Sequence, residues 1–177
     1  MNKALFLDRD GILNVDKGYV YRWEDIVWFE EIFEIIKLAN DKNYKVIVLT
    51  NQSGIFQQKY SHRDVLELHK LMNEYLNQKG ALVDDWFYCA EMDSDCRKPR
   101  PGMLYQAQKK FNIDLAASIM VGDKVSDIFE TGEGNPHPQT FLVQGNYDLS
   151  SVLSKPTKNV ILIENHKALK KILTEYL

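Results

Sequence analysis

Ala4-Leu5-Phe6-Leu7-Asp8-Arg9-Asp10-Gly11 is a short apolar run that stops at two carboxylates, one residue apart, and then a glycine. Such a run predicts a buried strand, and open α/β sheets bind their ligands beyond the C-terminal ends of strands. The two-residue period of an extended chain starts Asp8 and Asp10 on the same side, and Gly11 lets the backbone bend sharply behind them. Carboxylates this close repel unless a cation lies between them, and a hard ion with oxygen ligands, Mg²⁺, suits the pair. Taken alone, the same residues also fit a turn with two solvated aspartates.

Working outward, Ile12 to Tyr21 is polar and aromatic without a sustained period, and reads as a loop over the strand ends. Ile32, Phe33, Ile35, Ile36 and Ala39 fall at helical spacing, predicting a helix from about Phe29 to Asn40. A second strand, Val46 to Thr50, runs straight into Asn51-Gln52-Ser53-Gly54, hydrogen-bonding groups able to hold an oxyanion or simply to begin a turn. Ser61 to about Lys79 is the clearest helix: Ser61 and Asp64 make a capping-box-like start, and Gly80 closes it. His62 and His69 on this helix have no acid or thiol partner at matching spacing and read as surface or edge residues. A third strand, Asp85 to Cys89, precedes Arg97-Lys98-Pro99-Arg100-Pro101-Gly102-Met103. Three bases among two prolines form a stiff positive corner, with Pro101 suited to open a helix through Leu104, Ala107 and Phe111. A fourth strand, Ser118 to Val121, again delivers acids: Asp123 after Gly122, and Asp127 one helical turn on. Strands at Thr140–Val143 and Val160–Ile163 and a helix from Lys167 to Tyr176 complete the chain. Gly132–Pro138 and Ser150–Asn159 have loop composition.

Strands alternating with helices predict an α/β fold, a mainly parallel sheet with helices on both faces. The 177 residues fit one domain spanning 1–177, and 45% apolar with 27% charged residues is ordinary for a globular protein. A formal net charge of −3 argues against nucleic-acid binding through bulk positive charge. Without a membrane-length apolar run or a signal pattern, the sequence predicts a cytoplasmic protein with no membrane partner. Cys89 and Cys96 are too few for a disulfide framework, and a reducing compartment would leave them as thiols. Nothing in the surface composition points to a large interface, so a monomer is expected.

In this architecture Asp8, Asp10, Thr50, Lys98 and Asp123 meet at one edge of the sheet. Acids to hold a cation, with a hydroxyl and an ammonium to hold an anion, describe a phosphoryl-transfer site. The four segments Asp8–Gly11, Thr50–Gly54, Cys96–Met103 and Val121–Asp127 resemble, in order, the motifs of the haloacid dehalogenase superfamily. More narrowly, they are similar to its histidinol-phosphate and heptose 1,7-bisphosphate phosphatase branch. The similarity runs from residue 3 to about residue 145. Asn14 to Val20 looks most like the heptose enzymes, which use this loop for substrate.

The resemblance implies a Rossmann-like fold with a minimal cap and an Mg²⁺-dependent phosphatase of a small phosphorylated sugar. By the same resemblance Asp8 is the nucleophile, Asp10 the general acid and base, and Thr50 and Lys98 the cradle for the phosphoryl oxygens. The metal is implied at Asp8, the Asp10 carbonyl and Asp123, with Asp127 a support. Substrate contacts are implied at Asp16, Lys17, Gly18, Tyr19, Asn51, Gln52, Ser53, Arg97 and Lys124. One departure stands out: relatives carry a zinc-binding insertion with several Cys and His before the Arg-Lys-Pro motif. Only Cys89 and Cys96 remain here, and structural zinc usually takes four N or S ligands, so no zinc is expected.

A heptose bisphosphate is the leading substrate expectation, with histidinol phosphate or another sugar phosphate as the alternative. A phosphoacceptor signalling module also surrounds Mg²⁺ with acids, a Thr and a Lys. Its accepting Asp sits on the third strand, whereas here the acid pair comes first. A non-catalytic sugar-phosphate binder is disfavoured by the intact Asp8 and Asp10.

Overall fold

The computed structural model describes residues 1–150 and 159–177, so the loop expected from Ser150 to Asn159 falls, but for its ends, outside the described residues. Six strands form one sheet: β1 Ala4–Leu7, β2 Lys45–Asn51, β3 Asp85–Cys89, β4 Ile119–Gly122, β5 Gln139–Val143 and β6 Val160–Ile163. Their order is β3-β2-β1-β4-β5-β6, and every neighbouring pair is parallel. Among the described residues the helices are α1 Glu31–Asp41, α2 His62–Gln78, α3 Gly102–Phe111 and α4 His166–Tyr176. This is the parallel α/β sheet that the alternation of strands and helices predicted, and the Rossmann-like fold that the resemblance implied.

Both faces of the sheet are covered, which is why its strands read as continuous apolar runs. Leu5, Leu7, Val46, Val48, Ile119, Val121 and Phe141 pack under Ile32, Ile36, Met72, Leu76, Leu169 and Leu173 of α1, α2 and α4. The alternate residues Ala4, Phe6, Ile47, Leu49 and Met120 pack under Met103, Leu104 and Ala107 of α3. Ser61 and Asp64 close α2 with a reciprocal capping box, as their spacing implied. The β4–β5 connection carries a single 3-10 turn, Val125–Asp127, and then irregular chain through the Gly132–Pro138 segment to β5.

β1 lies between β2 and β4, so successive strands are laid down first on one side of it and then on the other. At this reversal the connections leave β1 and β4 toward opposite faces and open a crevice at the C-terminal edge. Asp8 and Asp123 follow these two strands directly, and Asp10 stands two residues beyond Asp8. Among the described residues no helix is long and apolar enough to cross a membrane.

The expectation for the cysteines is corrected. Cys89 and Cys96 are joined as a disulfide rather than standing as thiols. The chain after β3 folds back on itself, bringing their Cα atoms to 5.5 Å, within the range a disulfide spans.

Candidate active site

Three segments deliver charged side chains to the crevice. Asp8 continues β1, held there by its amide donating to the Val121 carbonyl at 2.9 Å. Lys98, on the loop before α3, is 3% exposed and its ammonium lies 3.0 Å from Asp8 Oδ1. The same Nζ donates to Asp127 Oδ1 at 2.6 Å and to the Leu49 carbonyl at 2.8 Å. Burial alone would lower the proton affinity of Lys98, but the carboxylates of Asp127 and Asp8 outweigh it and raise it. Lys98 is therefore a fixed cation beside the Asp8 carboxylate. Asn51 aims it: Asn51 Oδ1 accepts from the Lys98 amide at 3.0 Å and Asn51 Nδ2 donates to the Lys98 carbonyl at 3.1 Å.

Asp123 faces Asp8 across the reversal point. Its Oδ1 is buried without a hydrogen-bond partner among the described residues. Burial first, and then the neighbouring charge of Asp8, push this carboxyl up to about 8. Asp8, Asp123 and Asp127 can each turn one carboxylate oxygen to lie within 4.8 Å of the other two. Lys98 reaches Asp8 and Asp127 but leaves this Asp123 oxygen unpartnered, and an oxygen-preferring divalent cation fits that donor set. Asp127 is more fully engaged, since its Oδ2 also accepts from the amides of Asp123 and Lys124.

Two glycines let these acids approach. Gly11 has φ +94°, and a methyl group there would overlap the Asp123 carboxylate; one at Gly122 would overlap Asp127. Gly11→Ala is expected to cost about 1–2 kcal/mol through the left-handed backbone alone. It should also displace Asp123 and weaken the hold of this donor set on a divalent cation. Thermal melts and a calorimetric Mg²⁺ titration measure the two effects.

Asp10 is held on both oxygens. Its Oδ1 accepts from Asn14 Nδ2 at 2.9 Å, and its Oδ2 accepts from Arg9 Nη2 at 2.7 Å and Gln52 Nε2 at 3.2 Å. A carboxylate only accepts, so this contact orients the Gln52 amide. Its Nε2 then also reaches Thr50 Oγ1 at 2.9 Å, and its Oε1 takes the Tyr60 hydroxyl at 2.7 Å. Gln52 is 1% exposed and, rather than lying open to the crevice, stands behind Asp10 and Thr50 as a brace.

The outer rim is built on Asp16. Its Oδ2 accepts from Lys124 Nζ at 3.0 Å and the Tyr147 hydroxyl at 2.7 Å, while its Oδ1 accepts the Gly18 amide at 2.8 Å. Burial would raise this carboxyl, but the hydrogen bonds of Tyr147 and Gly18 and the charge of Lys124 bring it below its ordinary value. Lys124, whose ammonium lies 4.5 Å from the Tyr147 ring centre, is raised: burial opposes its charge, but Asp8, Asp123 and Asp16 more than compensate. Lys17, Tyr19 and Arg97 hold other groups, namely the Asp25 carbonyl, Gln57 Oε1 and the Glu91 carbonyl. Among the described residues no hydrogen bond or ion pair links these three, or the Ser53 side chain, to the acids of the crevice.

Two residues of this site escape sequence reasoning. Arg9 is fully buried beside Asp10, with no solvent contact. His69, read as a surface or edge residue, is corrected: it is 4% exposed, and its Nε2 lies 3.3 Å from Arg9 Nη1. The apolar stripe of α2 contains position 69, since Val65, Leu68 and Met72 flank it, and that was the available signal. Burial and then the charge of Arg9 lower the imidazole to about 3. The folded state therefore binds fewer protons than the unfolded chain between that value and about 6.5, so this contribution to stability is lost as pH falls through the window. Wild type should lose roughly 2–3 kcal/mol through His69 between pH 7 and pH 4.5. His69→Gln removes this dependence, and urea midpoints for the two proteins should converge on acidification.

Residues 6–168 match the family described as Polynucleotide kinase 3 phosphatase. The chain is 37% identical to the D-glycero-alpha-D-manno-heptose-1,7-bisphosphate 7-phosphatase of Photorhabdus laumondii, across 97% of this chain and 96% of that one. It is 44% identical to the D-glycero-beta-D-manno-heptose-1,7-bisphosphate 7-phosphatase of Helicobacter pylori, across 72% and 76% of the two chains. Among solved structures, the D,D-heptose 1,7-bisphosphate phosphatase of B. bronchiseptica, complexed with magnesium and phosphate, superposes with a TM-score of 0.84. That match has 25% identity and covers 99% of each chain.

Proposed function

Because the chain belongs to the polynucleotide kinase 3 phosphatase family of haloacid dehalogenase-type phosphatases, we propose that it hydrolyses D-glycero-D-manno-heptose 1,7-bisphosphate to the 1-phosphate. The observation that carries this reading is the buried Lys98 ammonium 3.0 Å from Asp8, a nucleophile paired with a cation able to receive the incoming phosphoryl group. The substrate assignment rests on the heptose bisphosphatases to which the chain is similar over most of its length. The whole 177-residue chain acts as one domain in this reading, as a cytoplasmic monomer on a small phosphorylated sugar.

The Asp8 carboxylate attacks phosphorus in line with the leaving sugar oxygen, forming an aspartyl phosphate as the P–O bond to the sugar breaks. With substrate bound, Asp10 is protonated in this reading and gives its proton to that departing oxygen. It then takes a proton from water as the water oxygen attacks phosphorus, which releases inorganic phosphate and returns the Asp8 carboxylate. Lys98 and Thr50 hold the phosphoryl oxygens, while Asp16, Lys17, Gly18, Tyr19, Arg97 and Lys124 are assigned in this reading to the sugar and its second phosphate. Asp8, Asp123 and the Asp10 carbonyl would hold Mg²⁺, which when bound offsets the negative charge on the transferring group.

Phosphate release with Mg²⁺ present, across both anomers of heptose 1,7-bisphosphate, sugar monophosphates and histidinol phosphate, tests the assignment. One heptose anomer is expected to lead in kcat/KM by at least about 10-fold. Preference for histidinol phosphate would move the protein to the other substrate class.

A further inference from the structure

Arg9 is a buried cation whose contacts fall into two groups. Its Nη2 donates to Asp10 Oδ2 at 2.7 Å and to the Val20 carbonyl at 2.5 Å, whereas its Nη1 points at His69 Nε2, 3.3 Å away. Its Nε finds no partner among the described residues. Arginine has only donors, so the contact requires the His69 Nε2 to be the acceptor and places the imidazole proton on Nδ1. His69 is itself fixed: its ring centre lies 4.8 Å from that of Trp86 and 6.0 Å from that of Tyr88. A residue of α2 thus anchors the outer arm of the guanidinium whose inner arm holds the proton-transferring carboxyl.

We infer that His69 is a positioning residue: its acceptor nitrogen holds Arg9, and Arg9 in turn fixes Asp10 for proton delivery to the leaving oxygen. This rests on the reading of Asp10 as general acid. Without the acceptor, Nη1 is a buried donor with no partner, and the guanidinium gains by turning toward other oxygens. Asp10 would then lose its 2.7 Å restraint while Gln52 and Asn14 continue to hold it near the site. Proton transfer depends on sub-ångström placement, so it suffers more than binding does.

The leaving group separates this role from a structural one. kcat/KM covers only the steps through leaving-group departure. p-Nitrophenolate leaves without a proton, whereas an alkoxide, such as that of glycerol phosphate, needs one. His69→Phe keeps a ring against Trp86 and removes the acceptor. It is expected to lose about 10-fold in kcat/KM on glycerol phosphate while p-nitrophenyl phosphate stays within about 2-fold of wild type. His69→Gln, whose amide oxygen can accept from Arg9, should restore the wild-type ratio. Asp10→Asn should show the same selectivity more strongly. Equal losses on both substrates in His69→Phe, with Asp10→Asn selective, overturn the inference and leave the reading of Asp10 standing. If Asp10→Asn is itself unselective, both fall. Should His69→Phe not fold, ¹⁵N spectra of histidine-labelled wild type decide: a bare Nε2 with a protonated Nδ1 supports the role, and a protonated Nε2 overturns it.

Discussion

Asp8→Asn is expected to lose phosphate release by at least about 10⁴-fold on every substrate, and to do so without loosening the fold. The amide oxygen of asparagine can replace Asp8 Oδ1, accepting from the Arg9 amide at 2.8 Å and from Lys98 at 3.0 Å. What disappears is one negative charge from a cluster of three buried acids. Asp8 is among the charges that push both Asp123 and Asp127 upward, so in the presence of a chelator its removal relieves repulsion that Lys98 and Lys124 offset only in part. In EDTA the variant should therefore melt at or above the wild-type temperature while remaining inactive. With saturating Mg²⁺ the order should reverse, because wild type gains the binding free energy of the ion and the variant gains less. Thermal melts in EDTA and in Mg²⁺, beside a phosphate-release assay, give all three results. Near-wild-type turnover in a well-folded Asp8→Asn protein would remove the aspartyl phosphate from the scheme.

The sequence makes the acids of this site readable because each one ends a strand. Asp8 and Asp123 follow apolar runs without an intervening residue of ambiguous character beyond Gly122, and parallel packing forces such runs to share an edge. Lys98 is readable for another reason, since the prolines around it leave the loop few conformations. The braces are hidden. Gln52 reads as an open donor after a strand, yet the Tyr60 hydroxyl, eight residues on, turns it inward onto Asp10. The Asp16–Lys124 pair spans 108 residues and Tyr147–Asp16 spans 131, and neither leaves a local periodicity. Arg9 and His69 are hidden most deeply, because charge and polarity argue for the surface at both positions. Only the pairing of a donor-only cation with a neutral acceptor makes their burial tolerable. The cysteine pair is a further case: closure depends on how the chain after β3 folds back, which spacing alone does not state.

Lys98→Met is expected to cost about 3–5 kcal/mol of stability and to reduce turnover by at least about 10²-fold. The side chain of Lys98 is 1% exposed, and those of Asp8 and Asp127 are 5% and 0% exposed. Methionine fills a similar volume but leaves these carboxylates facing each other with no cation between them. For a domain whose total stability is about 5–15 kcal/mol, the loss is a large share of the whole. The deficit carries a pH signature that distinguishes lost charge from lost packing. Burial already holds the Asp127 carboxyl above its ordinary value, with Lys98 pulling against that rise. Removing Lys98 raises it further, so the folded variant takes up a proton that the unfolded chain, with a carboxyl near 3.9, does not bind until the solution is more acidic. Between those two values the native state binds more protons, and its stability relative to wild type improves as pH falls. The gap between Lys98→Met and wild type should therefore narrow from pH 8 to pH 5 in urea unfolding. Asp127→Asn placed on top of Lys98→Met should recover roughly 2 kcal/mol at pH 8 without recovering turnover, since it removes the unpaired charge but supplies no cation for the phosphoryl group. A pH-independent deficit that Asp127→Asn does not touch would mean that Lys98 stabilises the protein through its aliphatic stem, with its ammonium free to serve the substrate alone.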